Sequence, residues 1–178
     1  MSQDDLLIGM QIMHQMESVG FCLLTNVPGH DEQELLRAVK AYHELPQEMK
    51  MSMAPKHFAP ENKNIYHGYF PFLESDVSHK EMYDMPRPLS DISEWERKGC
   101  PLYEFIPWVT TTKEHDWILE SFQAYFKNMH TVSLKLLRCL ALGLGKDGEY
   151  FDAWFKDECS SVFRGIHYKP REISELNK

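Results

Sequence analysis

The chain has 178 residues, of which 27 are acidic and 19 basic, giving a formal net charge of −8. This charge argues against nucleic acid or an anionic membrane as the main partner. Hydrophobic residues make up 43% and aromatic residues 12% of the chain, which excludes a disordered segment and predicts a single domain, residues 1–178, with its own core.

The sequence carries no signal for a membrane or for secretion. No apolar run approaches the about 18 residues of a spanning helix, and the acidic N-terminus lacks the basic region of a signal peptide. The four cysteines are widely spaced and form no CxxC pair: Cys22, Cys100, Cys139 and Cys159. This spacing favours reduced thiols over a zinc ribbon, so we expect a cytoplasmic protein.

The N-terminal part predicts a helix, a strand and two more helices. Helical spacing predicts a helix over residues 4–19, and the apolar run FCLLTNVPG at 21–29 predicts a buried strand closed by a turn. A second helix is predicted over 31–44, where the residues at helical spacing are Leu35, Leu36, Val39, Tyr42 and His43. PQEMKMSM, at 46–53, predicts a short helix with Pro46 at its first position.

Residues 54–112 are irregular and rich in proline. Strand-forming segments bounded by turn residues occur at HGYFPF (67–72) and KEMYDMP (80–86), with FIPWV (105–109) as a weaker candidate. We therefore expect turns and short strands here, and not a flexible linker, because aromatic residues continue throughout.

The strongest periodic signal predicts a long helix at about 113–144. Its apolar residues step by three and four, Thr111 and Glu114 fit a capping box, and glycines end it. A short helix at about 148–158 and a strand at about 162–168 follow. Because this order does not alternate strand and helix, it predicts an α+β fold with helices laid on a β element.

Two His-x-Glu triplets raise the possibility of a metal site. The triplet His30-Asp31-Glu32 lies at a turn before a helix. Acidic residues are expected there in any case, because they stabilise the positive N-terminal end of the helix dipole. On a strand, His79 and Glu81 would point to the same face, with His130 or His167 as a third ligand. Because Lys80 and Asp84 also lie here, an ordinary charged segment is the better explanation of the second triplet, and the metal site stays a minority hypothesis.

Other catalytic patterns are absent from the sequence. GLGKDG, at 143–148, has the glycines of a phosphate loop, but it follows a helix and is better explained as a helix C-cap. Apart from that segment, whose glycines do have the G-x-G-x-x-G spacing, there is no GxGxxG pattern, and there is no Walker or GxSxG pattern. The residues alone therefore indicate no complete active site.

Several segments, taken in order, resemble the isopenicillin-N-synthase-like family of 2-oxoglutarate/Fe(II)-dependent non-haem dioxygenases. They are GFCLLTNVPG (20–29), ELPQEMKMSM (44–53), NKNIYHGYF (62–70), HKEMYDM (79–85), LKLLRCLALGLG (134–145) with FDAWF (151–155), and VFRGIHYKP (162–170). Each motif is weak alone, but six in the family's order across nearly the whole chain are specific.

The resemblance implies a fold and two cofactors. It implies helices packed on the first part of a double-stranded β-helix, a jelly-roll barrel that is incomplete in this chain. Family members use Fe(II), held by His-x-Asp and a distal His, together with 2-oxoglutarate. Because no His-x-Asp or Arg-x-Ser occurs here, we expect neither cofactor to bind this chain tightly by itself.

The resemblance also implies roles for a few residues. Tyr168 matches a tyrosine that reaches toward the co-substrate, and Tyr66 and Tyr69 flank a segment that lies near the substrate. A packing role for each of these three tyrosines remains open. Arg164 is expected to have a structural role, by packing or by pairing with another side chain. No catalytic residue and no metal ligand is carried over.

Two functions remain open at this point. The chain resembles the N-terminal portion of an oxidoreductase that acts on a small organic molecule and is inactive alone, truncated before the iron-binding motif. Alternatively, it is a non-catalytic partner-binding module derived from that fold. We expect no nucleic-acid or membrane partner, and possible self-association through exposed strand edges.

Overall fold

The computed structural model describes residues 3–88, 102–109, 113–156 and 160–171. Within these ranges lie α1 Gln3–Ser18, α2 Glu32–Glu44, α3 Gln47–Met51, β1 Gly68–Phe70, β2 Lys80–Pro86, a 3-10 turn Lys113–His115, α4 Asp116–Gly143, α5 Asp152–Phe155 and β3 Val162–Tyr168. This mixture of helices and sheet confirms the predicted α+β class. No helix in the described ranges combines the length and the apolarity that crossing a bilayer requires.

Most predicted elements occur within a few residues of their expected bounds. The long helix predicted at 113–144 begins as a 3-10 turn and becomes regular at Asp116, and the final strand spans 162–168 as expected. The short helix predicted at about 148–158 is reduced to Asp152–Phe155. Thr111, half of the predicted capping box, lies outside the described residues.

Two predicted strands are wrong. Residues 21–29 form no strand, and Phe21 and Leu23 are 66% and 86% exposed. Residues 105–109 are likewise irregular. An apolar run becomes a strand only when another strand pairs with its backbone, and in the described part of the chain the sheet contains β1, β2 and β3 alone.

The chain's contacts sort its residues into two compact units. One contains residues 1–31 and 124–159, and the other contains residues 32–123 and 160–178. In the first unit, α1 and α4 cross at two glycines. A Cβ atom added at Gly9 would lie 2.1 Å from the Cys139 carbonyl oxygen, and one at Gly143 would lie 2.7 Å from the Gly9 carbonyl oxygen. This close backbone approach excludes any side chain at either glycine.

The GLGKDG segment ends α4 as a helix C-cap. Gly145 has a φ of 68°, its amide donates to the Leu142 carbonyl at 2.9 Å, and the Lys146 amide donates to the Ala141 carbonyl at 2.8 Å. A left-handed glycine with this bond pair is a Schellman motif. The C-cap interpretation is therefore confirmed, and it accounts for the glycines without a phosphate ligand.

The second unit contains an antiparallel sheet in the order β1-β2-β3. In its register Tyr69 pairs with Tyr83, Tyr83 with Gly165, and Glu81 with His167. Because side chains alternate along a strand, Glu81, Tyr83 and His167 share one face. Tyr168 lies on the opposite face.

An aromatic core covers the face of the sheet that carries Tyr83. Tyr42 of α2 lies 4.5 Å from Tyr83 between ring centroids, and Phe122 of α4 lies 4.5 Å from Phe163 of β3. Tyr42, Tyr83 and Phe122 are at most 1% exposed. This packing fixes α2 over the sheet and places the next residue, His43, above β2 and β3.

Candidate functional site

The buried carboxylate of Glu81 is the centre of a polar cluster on the helix-covered face of the sheet. Its Oε2 accepts hydrogen bonds from the Tyr69 hydroxyl at 2.6 Å and from Lys50 Nζ at 3.0 Å. Its Oε1 lies 2.8 Å from His167 Nδ1 and 3.8 Å from His43 Nδ1. Side chains from α2, α3, β1 and β3 therefore meet at one carboxylate of β2.

The local sequence explains how these side chains reach one another. Glu81 and His167 are cross-strand partners in the register of β2 and β3. Lys50 lies in the last turn of α3, and its ammonium also donates to the His43 carbonyl at 3.0 Å, close to the end of α2. Tyr69 reaches the carboxylate from the neighbouring strand.

The cluster keeps Glu81 ionised despite its burial. Burial by itself raises the pKa of a carboxyl group, but hydrogen bonds from Tyr69, His167 and Lys50 outweigh it and lower the pKa of Glu81 to about 2. Burial and the hydrogen bond to Glu81 raise the pKa of the Tyr69 hydroxyl, so that this group stays protonated. Glu81 is therefore an acceptor throughout the neutral range.

His43 is the least satisfied member of the cluster. Its side chain is 5% exposed, and neither ring nitrogen makes a hydrogen bond of normal geometry with the described residues. Burial lowers the pKa of His43 to about 4, although the Glu81 carboxylate opposes this shift. The ring is thus neutral at physiological pH, so that one of its two nitrogens is a hydrogen-bond acceptor.

His43, Glu81 and His167 offer the donor types of a two-histidine, one-carboxylate metal site, and their ligand atoms lie within 4.8 Å of one another. They do not fit the catalytic iron that the family resemblance implies. Such an iron must keep neighbouring coordination positions open for a chelating co-substrate, whereas His43 and Glu81 are 5% and 3% exposed. They also lie on the face of the sheet opposite Tyr168.

The hypothesis that His79 and Glu81 bind a metal together is wrong. β2 begins at Lys80, and His79 precedes it with a φ of 48°, so residues 79 and 81 do not lie side by side on a strand. The His79 ring packs edge-on against Phe72 at 4.9 Å. Glu81 and His167 do meet, but their third partner is His43, which no local motif marks.

The three tyrosines selected from the sequence lie in different surroundings. Tyr69 is fully buried in the Glu81 cluster, and its hydroxyl also lies 3.2 Å from Gln47 Oε1. Tyr66 is 46% exposed, and Tyr168, at the end of β3, is 63% exposed. The binding roles given to these three residues stay predictions.

A second buried carboxylate fixes the segment that contains Tyr66. Glu104 accepts hydrogen bonds from the backbone amides of Ile65, Tyr66 and His67, and its Oε2 lies 2.8 Å from His67 Nδ1. Glu104 is 39 residues from Ile65 in the sequence, so no local pattern indicates this contact. It was missed from the sequence.

The expected structural role of Arg164 is confirmed. Arg164 Nε and Nη2 donate to the two carboxylate oxygens of Asp84, each at 2.7 Å. Asp84 is 5% exposed at its side chain and Arg164 49%. This bidentate pair joins β2 to β3 on the face that carries Tyr168.

The sequence is similar to known enzymes over part of their length. No family model matches it. The chain is 28% identical over 165 residues to isopenicillin N synthase from Amycolatopsis lactamdurans, covering 90% of this chain and 49% of that protein. It is 26% identical over 146 residues to isopenicillin N synthase from Streptomyces clavuligerus, covering 80% and 44%. The chain thus spans about half the length of the curated relatives it matches.

Solved structures show the same fold. A full-length protein from Neurospora crassa, solved in complex with alpha-KG, has a TM-score of 0.74 at 18% identity, over 99% of this chain and 53% of that one. A Caulobacter crescentus protein assigned to the 2OG-Fe(II) oxygenase family has a TM-score of 0.72 at 22% identity, over 96% and 54%. The chain is thus similar in sequence to isopenicillin N synthases and shares the fold of these solved proteins over about half of their length.

Proposed function

We propose that this chain is the N-terminal portion of a 2-oxoglutarate- and Fe(II)-dependent oxidoreductase that acts on a small organic molecule. One observation carries the proposal: the similarity to the alpha-KG-bound Neurospora crassa protein covers 99% of this chain and only 53% of that protein. The chain therefore corresponds to about half of such a protein. Any iron chemistry would be supplied by ligands outside it.

The class of substrate is proposed from the neighbours. The Neurospora crassa protein has been solved with alpha-KG and thymine, and with alpha-KG and 5-formyluracil. The sequence relatives are isopenicillin N synthases. Thymine, 5-formyluracil and isopenicillin N are all small organic molecules, and that class alone is proposed here.

Within this chain, we assign Tyr168 a contact with 2-oxoglutarate and Tyr66 and Tyr69 contacts with substrate. The exposed positions of Tyr168 and Tyr66 support the assignments for those two, since neither side chain is enclosed by its own unit. For Tyr69 the assignment rests on the resemblance, because its hydroxyl already contacts Glu81 and Gln47. Under this proposal, these tyrosines and their neighbours in the second unit would form part of the wall of the substrate pocket and make polar contacts with its contents.

A non-catalytic partner-binding module is the second candidate. The observation in its favour is the exposed face of β3, where Val162, Ile166 and Tyr168 are 42%, 38% and 63% exposed. Within the described residues β3 is also an edge strand, and such a strand can bind a partner by strand addition. For either candidate we propose a cytosolic protein, on the acidic charge and the absence of a CxxC pair.

Side-by-side turnover assays test the first candidate. The purified 178-residue chain and the longest polypeptide expressed from the same gene are each mixed with Fe(II), ascorbate and 2-oxoglutarate, and succinate is measured. We expect succinate from a longer product and none from the 178-residue chain. Catalytic succinate release by the chain alone would contradict the proposal.

A further inference from the structure

His43 poses a physical problem that the proposed function does not solve. A buried polar group without a partner costs roughly 1–3 kcal/mol relative to a satisfied one, so buried polar groups are nearly always paired. The His43 side chain is 5% exposed, neither ring nitrogen makes a hydrogen bond of normal geometry within the described residues beyond a weak approach to the Gly165 backbone, and Nδ1 lies 3.8 Å from Glu81 Oε1. A ligand that accepts an electron pair from nitrogen would satisfy it.

The surrounding atoms have the spacing that such a ligand needs. Metal–nitrogen and metal–oxygen bonds of about 2.0–2.1 Å place tetrahedral ligand atoms about 3.3 Å apart. Glu81 Oε1 lies 2.8 Å from His167 Nδ1 and 3.8 Å from His43 Nδ1, which brackets this value. The two imidazole rings are 5.3 Å apart between centroids. Small side-chain movements therefore complete three-ligand coordination.

The second carboxylate oxygen of Glu81, Oε2, is fixed by hydrogen bonds, as the non-coordinating oxygen of a carboxylate metal ligand usually is. Glu81 Oε2 accepts from Tyr69 at 2.6 Å and from Lys50 at 3.0 Å, which fixes the carboxylate plane and directs Oε1 at the two histidines. His167 is 44% exposed at its side chain and provides an entry side and room for a water as fourth ligand. Binding through Nδ1 requires the neutral His167 ring to carry its proton on Nε2, so that Nδ1 and Glu81 Oε1 both offer a lone pair to the ion.

We propose that His43, Glu81 and His167 bind a divalent transition-metal ion of the Zn²⁺ type, in a site separate from any catalytic iron. Two imidazoles favour Zn²⁺ over Mg²⁺ or Ca²⁺, which prefer oxygen ligands. The Lys50 ammonium repels a cation and limits the affinity. The ion would tie α2 to β2 and β3, so it is a structural ion and carries out no turnover.

Metal titration of the 178-residue chain tests the proposal directly. Zn²⁺ is titrated calorimetrically, and Co²⁺ is used to record visible absorption bands typical of a low-coordinate nitrogen and oxygen site. We expect one ion per chain, no competition from Mg²⁺, and a rise in the melting temperature with Zn²⁺. Absence of saturable binding to the folded chain would overturn the proposal.

Variants identify the ligands. His167→Ala removes a half-exposed ligand and is expected to keep the fold while weakening Zn²⁺ binding by about tenfold or more. His43→Gln is expected to do the same, with folding checked by circular dichroism. His14→Ala removes an exposed histidine of α1 and is the matched control, expected to bind as wild type. Equal Zn²⁺ binding by His167→Ala and the control would assign the metal to surface histidines and contradict the site.

The outcome is independent of the proposed function. Zn²⁺ binding is measured without 2-oxoglutarate, so it can fail while the oxygenase assignment stands. Conversely, a longer gene product without turnover would leave a measured Zn²⁺ site intact.

Discussion

Lys50 Nζ lies 3.0 Å from Glu81 Oε2, and the two side chains are 6% and 3% exposed. Lys50 also donates to the His43 carbonyl. The ammonium thus compensates a buried charge of β2 and at the same time binds the end of α2. This pair connects three elements of the second unit at one point.

Lys50→Met is expected to lower the free energy of unfolding by about 3–5 kcal/mol, because it leaves the Glu81 carboxylate buried without its cation. Urea denaturation of wild type and variant measures the loss. The double variant Lys50→Met/Glu81→Gln removes both charges and is expected to lose less than the sum of the two single variants. Strictly additive losses would show that the two side chains do not interact.

Glu104→Gln is expected to show a pH-dependent loss of stability. Burial raises the pKa of Glu104, but hydrogen bonds from His67 and from the Ile65 and Tyr66 amides outweigh this and lower it below its ordinary value of 4.5. A depressed carboxyl pKa contributes stability that is complete above the ordinary value and is lost as pH falls through the folded-state value.

Urea melts of wild type and Glu104→Gln, at steps from about pH 7 downward, measure this effect. The stability difference between them should be constant above about pH 5 and shrink at lower pH. Glu61→Gln, at an exposed position, is the control and should show little difference at any pH. A difference for Glu104→Gln that does not change with pH would contradict the ionised state of this buried carboxylate.

Gly68→Ala is expected to destabilise the second unit by about 2–5 kcal/mol. Gly68 has a φ of 118°, and a Cβ atom there would lie 1.9 Å from the Met53 carbonyl oxygen. Gly165→Ala is the matched control, since its Cβ would meet its nearest atoms at an ordinary 3.7 Å. Its cost should stay near that of a normal strand substitution, about 1 kcal/mol or less. Equal losses in denaturation would contradict the close approach at Gly68.

Self-association through β3 is expected to depend on its exposed apolar side chains. Val162 and Ile166 are 42% and 38% exposed on β3, which lies at the edge of the sheet within the described residues. A lysine at either position opposes edge-to-edge pairing. Sedimentation velocity across a concentration series should therefore show less association for Ile166→Lys than for wild type.

Val77→Lys is the control for that experiment, because Val77 is 87% exposed and lies outside the strands. An equal reduction by Val77→Lys would assign the effect to added charge alone. A wild-type chain that stays monomeric at every concentration would contradict the expected association.

The sequence predicted the elements whose signals are local. Pro46 before α3, Gly145 after α4 and the strand formers of β3 act within a few residues, and the bounds follow from them. The strand at 21–29 was wrong because strand formation depends on a partner backbone elsewhere in the chain. Its apolar pattern carries no information about that partner.

The candidate site could be predicted only in part, for a related reason. Glu81 and His167 were recognisable as possible ligands by residue type. His43 was recognised only as one of the residues at helical spacing in α2. Their meeting depends on the register of β2 and β3 and on the packing of Tyr42 against Tyr83. Lys50 and Glu104 reach partners 31 and 39 residues away in the sequence, beyond any local motif.

The most direct test of the central claim is to sequence the transcripts that encode this chain beyond codon 178. An N-terminal portion of an oxygenase predicts an open reading frame that continues into a His-x-Asp motif, a distal His and an Arg-x-Ser pair. A stop codon directly after codon 178 in every transcript would contradict that claim and favour the partner-binding module.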